Sequence, residues 1–354
     1  MTKNFKLIFF GAGTNQISYV KSSFFKKNYN IVIHNEPDTK ALKYSDQFFL
    51  GSVYDKKKVL NICKKIKKHF IINDIVCRST GPSVISAAAA FKFFKINRVN
   101  NELAKCIYSK YYFHKFLKKR NIPSLQSKLI KKNRSIYPKG KWVLKPDCPI
   151  YGKLFIFKIE NRKLSNNNFK LVKKNSDNKK GNLSKYIPGL DVSVIFFIEK
   201  RSKKKILLNI INEWNFFLKN KMDIYNYKSV PGLSTPEILI TSFERKKILQ
   251  YSKKILASFP DYYGLISISY RVNENKVYAY EININIEKRY TNIIFPSFHD
   301  KYSLYDIEVS NLMGTKIPKI EYNKKKKFVG ILNNKKIVNK KDYLKKIKKY
   351  LDKN

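Results

Sequence analysis

Acids are scarce in this sequence. It has 25 aspartates and glutamates against 74 lysines and arginines, a formal charge of +49 over 354 residues. Such an imbalance invites a nucleic-acid reading. The lysines, however, run along the whole chain together with Asn, Ile, Phe and Tyr, all encoded by A/T-rich codons, and genome composition explains that pattern more economically than a binding patch. No zinc-finger, RRM or KH signature is present, so nucleic acid is not the expected partner. A long-range attraction for anions remains. Cysteine is equally sparse: Cys63, Cys77, Cys106 and Cys148 lie far apart with no CxxC pair, and the four histidines are scattered, which excludes a disulfide framework or a zinc site. Cys77 and Cys148 read as packing residues. No run approaches the roughly 18 apolar residues of a membrane span, and MTKNFKLIFFGAG is too short and strand-like for a signal peptide. A soluble, cytoplasmic protein that makes no membrane contact is expected.

The chain does have ample apolar residues, 43% of the total, enough for two or three lobes rather than one core. FKLIFFGAG (5–13), NIVIHNEP (30–37), DQFFLGS (46–52) and INDIVCRSTGPSV (72–84) read as strands alternating with helices at 21–27, 59–70 and from SAAAAFKFF onward. This is a doubly wound sheet whose ligands approach the carboxyl ends of the strands. An NAD site is excluded, because Gln16 stands where the third glycine of the fingerprint belongs and His34 where the ribose acid is expected. Residues 102–121 predict one helix, ending before Ile122–Pro123. A β-rich stretch follows from 124 to 185, with 161–182 as an exposed insertion, and then strands at VSVIFFIEK, KILLNIINEW, GLISISYRV and VYAYEINI around a helix at 243–258. The basic helix at the end reads as a solvated face. No internal repeat is present.

Within the last of these strands, EININIE (281–287) alternates a polar residue with isoleucine at every step. Glu281, Asn283, Asn285 and Glu287 therefore share one face of a strand, and the isoleucines share the other. That polar face meets either water or a cation or phosphate.

The order of these pieces resembles the ATP-grasp superfamily, in the style of carbamoyl-phosphate-synthase-like and other carboxylate–amine ligases, over roughly residues 5–315. SKYYFHKFLKKRNIP is similar to the family's "DK…LLKKAGIP" helix, with Lys110 thirteen positions before Pro123, and WVLKPD to its "V-x-KP" strand. The resemblance implies that Lys110 and Lys145 are the two ATP-phosphate lysines, with Lys145 catalytic. Two ammonium groups suit a polyphosphate whose charge must be held and offset. SKYIPGLDVSV (184–194) resembles the adenine hinge, which implies backbone contacts from Lys185 and Ile187 and ribose contacts from Asp191. EIN resembles the metal strand "E-x-N-P-R", which implies that Glu281 and Asn283 hold Mg²⁺ or Mn²⁺ against the ATP phosphates.

The resemblance further implies an α/β and α+β architecture. A pre-ATP-grasp, Rossmann-like domain would span 1–100, a linker helix and small lobe 101–188, a large lobe with the metal site 189–320 and a basic extension 321–354. It departs from the pattern at several points. Ser184 replaces the leading acid of the hinge, and only Ser267 or Ser269 stands where GLISISYRV should bear a further metal ligand. Asn285 replaces the arginine of NPR, for which Lys288, Arg289 or Arg271 would substitute, Arg289 being the catalytic candidate. DCPIYGK has one glycine, Gly152, where the phosphate-covering loop is usually glycine-rich.

An ATP-dependent ligase would activate a carboxylate, or bicarbonate, as an acyl phosphate for attack by an amine. The alternatives are a divergent relative that binds nucleotide or a partner with little turnover, and a basic RNA- or polyanion-binding protein. The small-molecule acceptor is expected beside Gly11–Gln16, through Gly13, and the loop bearing Arg78, Ser79, Thr80 and Gly81, unless that loop is only a helix start capped by Ser83. His34 would touch substrate or cap a strand. A homodimer is in keeping with the resemblance.

Overall fold

A computed structural model describes residues 5–78, 81–133, 136–150, 154–159, 162–219, 225–235, 239–286, 288–299, 301–317, 320, 328–332, 335–337 and 339–351. The first sheet is parallel. Strands β1 (Lys6–Phe10), β2 (Tyr29–His34), β3 (Gln47–Leu50) and β4 (Asp74–Cys77) lie in the order β3-β2-β1-β4, the doubly wound pattern that puts the β1 and β4 loops side by side. They alternate with helices α1 (Thr14–Phe25), α2 (Lys56–His69) and α3 (Pro82–Phe93). In α2, Val59, Cys63 and Ile66 recur at helical spacing and form the buried stripe, and Asp55 caps the first turn by accepting from the amides of Lys57 and Lys58.

The helix expected at 102–121 is two helices, α4 (Asn101–Tyr108) and α5 (Lys110–Lys119). Ser109 breaks them: its backbone is extended (φ −114°, ψ 118°) while its hydroxyl accepts from the Tyr112 amide, so it ends one helix and caps the next. Lys110 thereby becomes the first residue of a helix.

The second sheet contains β5 (Ser127–Ile130), β6 (Trp142–Pro146), β7 (Phe157–Ile159), β8 (Gly181–Lys185), β9 (Leu190–Ile198), β10 (Lys205–Lys219), β11 (Tyr225–Thr235), β12 (Gly264–Asn273) and β13 (Lys276–Asn283), in the order β13-β12-β9-β10-β11-β7-β6-β8-β5. Helix α6 (Asn166–Lys174) lies in the stretch expected as an exposed insertion, which is instead part of the fold: Phe169 and Val172 are buried against Leu144 and Leu183. The helix expected at 243–258 is α7 (Ser242–Ala257), opened by a capping box between Thr241 and Glu244. A π-helical turn at Tyr290–Ile294 leads into the short α8 (Phe295–Phe298), and α9 (Leu304–Met313) follows. The last elements are β14 (Val329–Leu332), β15 (Lys335–Ile337) and α10 (Lys340–Leu351). Strand β14 pairs with β11, and Tyr343 of α10 is wholly buried over Gly330, so one face of this basic helix is packed.

One apolar core runs from Ile8 and Ile31 through α3, α4 and α5 to Ile268 and Ile282, joining the two sheets. Charge joins them as well. Arg78 and Glu308 form a fully buried ion pair, and Arg78 Nη1 also donates to the Leu265 and Ile284 carbonyls. Arg98 reaches Asp74 and Glu308, at 3.5 Å each. Gly264, at φ +107°, passes so close that a Cβ there would lie 2.6 Å from Arg98 Nη2, which is why this turn needs glycine.

Candidate active site

Four elements meet at one cavity: the start of α5, β6, the turn between β8 and β9, and the β12–β13 pair. Lys110, Lys145, Lys185, Ile187, Asp191 and Glu281 all line it, with Val143, Leu125 and Ile156 as its apolar wall and Ser184, Tyr186, Arg271 and Tyr280 as further polar lining. Six of the residues marked by sequence pattern are thus neighbours in space, though they span positions 110 to 281.

A β-bulge brings Glu281 in. Along β12 and β13 the register runs Ser269↔Glu281 and then Tyr270↔Ala279, which leaves Tyr280 as the extra residue. Val277 and Ala279 are buried before the bulge, and Ile282 and Ile284 after it. The alternation therefore changes parity, and two consecutive side chains, Tyr280 and Glu281, face the cavity together. The same parity switch is visible in VYAYEINI, where the apolar spacing slips from 277 and 279 to 282 and 284. Strict alternation puts Tyr280 on the face opposite Glu281, and the bulge is what turns it into the cavity. Its ring lies 5.7 Å from the Lys145 ammonium.

The electrostatics are those of crowded cations with few acids. Glu281 pairs with the Lys110 ammonium. Asp191 is gripped on both oxygens by Arg271, Nε to Oδ1 at 3.0 Å and Nη2 to Oδ2 at 3.1 Å, while Arg271 Nη1 donates to the Gly189 carbonyl at 2.8 Å. Strand pairing sets this up, since Arg271 and Asp191 are direct partners across β12 and β9. Arg271 is thus bound to Asp191 while lining the same cavity as Lys110 and Lys145. Lys145 has its pKa lowered to about 7, chiefly by burial and then by the Lys110 and Arg271 charges, with Glu281 and Asp191 opposing. His114, one turn beyond Lys110, is also buried; burial first, then Lys145 and Lys110, lower its pKa to about 3 and keep it neutral.

Lys185 lines the cavity, but its amide is already committed, donating to the Gln126 carbonyl at 2.8 Å. Asn283 is half-buried on the Glu281 face, two residues along, opposite Ser267. Ser269, opposite Glu281, is tied to Ser193 at 2.8 Å. Among the described residues no cluster of three or more His, Cys, Asp or Glu side chains forms a ready metal cage. Of the expected metal ligands only Glu281 lines the cavity; with the Asn283 amide two residues along the same strand, it offers the oxygen donors that a hard cation takes.

The acceptor residues divide differently. Gln16 Nε2 donates to the Arg78 carbonyl at 2.9 Å, tying the β1 and β4 loops together, and Gly13 is exposed at the start of α1. Arg78 does not present its side chain to an acceptor as expected: it is 1% exposed and its guanidinium is bound to Glu308 between the sheets. Gly81, not Ser83, is the N-cap of α3, and a Cβ on it would lie 2.5 Å from the Pro149 carbonyl, so this loop abuts the segment after β6. Ser79, Thr80, Gly152 and Glu287 lie outside the described residues. His34, at the end of β2, accepts through Nδ1 from the Ala12 amide at 3.3 Å. Arg289 is half-buried before the π-helical turn and does not line the cavity.

No family model matches the sequence. No curated protein matches it either. Solved structures do. N5-carboxyaminoimidazole synthetase from Staphylococcus aureus complexed with ADP is 14% identical, with a TM-score of 0.70 over 94% of this chain and 83% of that one. L-amino acid ligase from Bacillus licheniformis is 11% identical, with a TM-score of 0.69 over 93% and 80%. Carboxyaminoimidazole ribonucleotide synthase from Aspergillus clavatus complexed with ATP is 14% identical, with a TM-score of 0.67 over 94% and 82%. The chain has their fold, a parallel α/β sheet followed by the two-lobed ATP-grasp arrangement.

Proposed function

We propose that the chain is an ATP- and Mg²⁺-dependent ligase that activates a carboxylate, or bicarbonate, as an acyl phosphate for attack by an amine. The observation that carries this reading is the convergence of Lys110, Lys145, Asp191 and Glu281 on one cavity from four separate elements. Two similar proteins hold ADP or ATP in their structures, which supports a nucleotide here. In this reading Lys110 and Lys145 hold the phosphates, the apolar wall and the Lys185–Ile187 segment take the base, and Asp191 with Arg271 meets the sugar. Glu281 and Asn283 would hold the metal ion, which offsets phosphate charge when bound. The chain otherwise positions groups and excludes water, as phosphoryl transfer requires.

The test is to incubate the protein with Mg-ATP, a panel of carboxylates and hydroxylamine. An acyl phosphate is trapped as a hydroxamate, with one ADP released per hydroxamate formed. Absence of both across the panel contradicts the ligase reading. A second reading, nucleotide binding with little turnover, draws on Arg289 lying away from the cavity. It predicts ATP binding with no hydroxamate. Among the described residues no helix is long and apolar enough to cross a membrane.

A further inference from the structure

Three consecutive residues at the start of α5 are bonded to Asp147, the residue that directly follows strand β6. The Ser109 hydroxyl donates to the Asp147 carboxylate, at 3.1 Å to Oδ1 and 2.9 Å to Oδ2. The Lys110 amide donates to the Asp147 carbonyl at 3.1 Å, and the Tyr111 amide to Oδ1 at 2.8 Å. Asn178 Nδ2 donates to Oδ2 at 2.7 Å and the Cys148 thiol lies 3.4 Å from it. The carboxylate is 1% exposed, and every one of these partners is uncharged.

A buried carboxylate held only by neutral donors is costly, and here the Ser109 hydroxyl, the Asn178 amide and the Tyr111 amide at the helix N-terminus offset that cost. Capping alone does not require it. Ser109 already caps α5 by accepting from Tyr112 at 3.0 Å. What Asp147 adds is a tie to a different element: it follows Lys145 by two residues, with the fixed φ of Pro146 between them. Lys145 and Lys110 are thus connected through Pro146, Asp147 and the 109–111 backbone, a path far shorter than the sequence separating them.

We propose that Asp147 is a positioning residue that sets Lys110 against Lys145, so that the two ammonium groups grip a nucleotide's phosphates as one unit. The inference rests on the nucleotide reading of the cavity. It makes Asp147 act through Lys110, which a purely structural role would not.

A double-mutant cycle tests this with Mg-ATP as the probe, binding being measured by calorimetry and folding by thermal unfolding. Asp147→Ala is expected to weaken Mg-ATP binding about tenfold, the scale of a small misplacement of a binding group. Asp147→Asn, which keeps an acceptor for the Tyr111 amide, is expected to recover part of the loss. In a Lys110→Met background, Asp147→Ala is expected to cost nothing further. An equal loss in both backgrounds, or no loss in either, overturns the proposal. Should Asp147→Ala fail to fold, Ser109→Ala carries the test, with a smaller loss that also vanishes without Lys110. If wild-type protein does not bind Mg-ATP, the nucleotide reading falls and this inference with it; if it binds and the cycle shows no coupling, only this inference falls.

Discussion

Lys110 and Glu281, 171 residues apart, are bonded to each other within the cavity, so an expected phosphate ligand and an expected metal ligand each occupy the other. Both side chains are mostly buried, at 14% and 17% exposure, and little screened. Nucleotide and metal must separate them together. Glu281→Gln frees Lys110 and removes a negative charge beside the phosphates, so it should bind metal-free ATP about tenfold more tightly than wild type while losing the enhancement by Mg²⁺. Calorimetric titrations with EDTA and with Mg²⁺ check this. An unchanged Mg²⁺ dependence in the variant would remove Glu281 from the metal site.

Lys145 makes binding and stability depend on pH. Its folded pKa, about 7, lies below the ordinary lysine value of 10.5. The unfolded chain therefore binds more protons between those values, and stability rises with pH across that window. Below pH 7 both states are protonated and the full penalty of the buried charge remains. Lys145→Met should accordingly raise the melting temperature most at pH 6, and the gain should shrink as pH climbs toward 10. Phosphate would also draw a proton onto Lys145, so Mg-ATP binding at pH 8 should take up protons, visible as a dependence of binding enthalpy on the buffer's ionisation heat.

Removing one partner of the buried Arg78–Glu308 pair leaves a charge uncompensated between the two sheets. Glu308→Ala should destabilise the protein by about 3–5 kcal/mol in denaturant melts. A loss below about 1 kcal/mol would mean that the pair does not join the sheets.

Gly264→Ala should be costly for two reasons, its φ of +107° and the approach of Arg98 and Glu308 to any Cβ. A loss of about 1–3 kcal/mol from backbone strain alone is expected, and thermal unfolding would report it.

The doubly wound opening was legible because buried parallel strands such as KLIFF and IVIH are short apolar runs with no competing periodicity. That Lys110, Lys145, Asp191 and Glu281 lie at one cavity was legible from motif spacing, which survives near strand ends and helix starts. The features missed depend on contacts that sequence does not carry. Ser109 splits a helix through one capping bond. Arg78 looked like a loop residue available to substrate because its partner, Glu308, lies 230 positions away. The pairing of Arg271 with Asp191 follows from strand order, which alternation alone does not fix. Tyr280 did leave a trace, the slip in apolar parity around the bulge.

The measurement that bears most directly on the central claim is calorimetric titration of Mg-ATP into the wild-type protein and into Lys145→Met. One saturable site in the wild type, weakened by about a hundredfold in the variant, is the predicted result, since a charged phosphate contact in a buried site is worth about 1.5–3 kcal/mol. No binding by the wild type, or equal binding by both proteins, would contradict it.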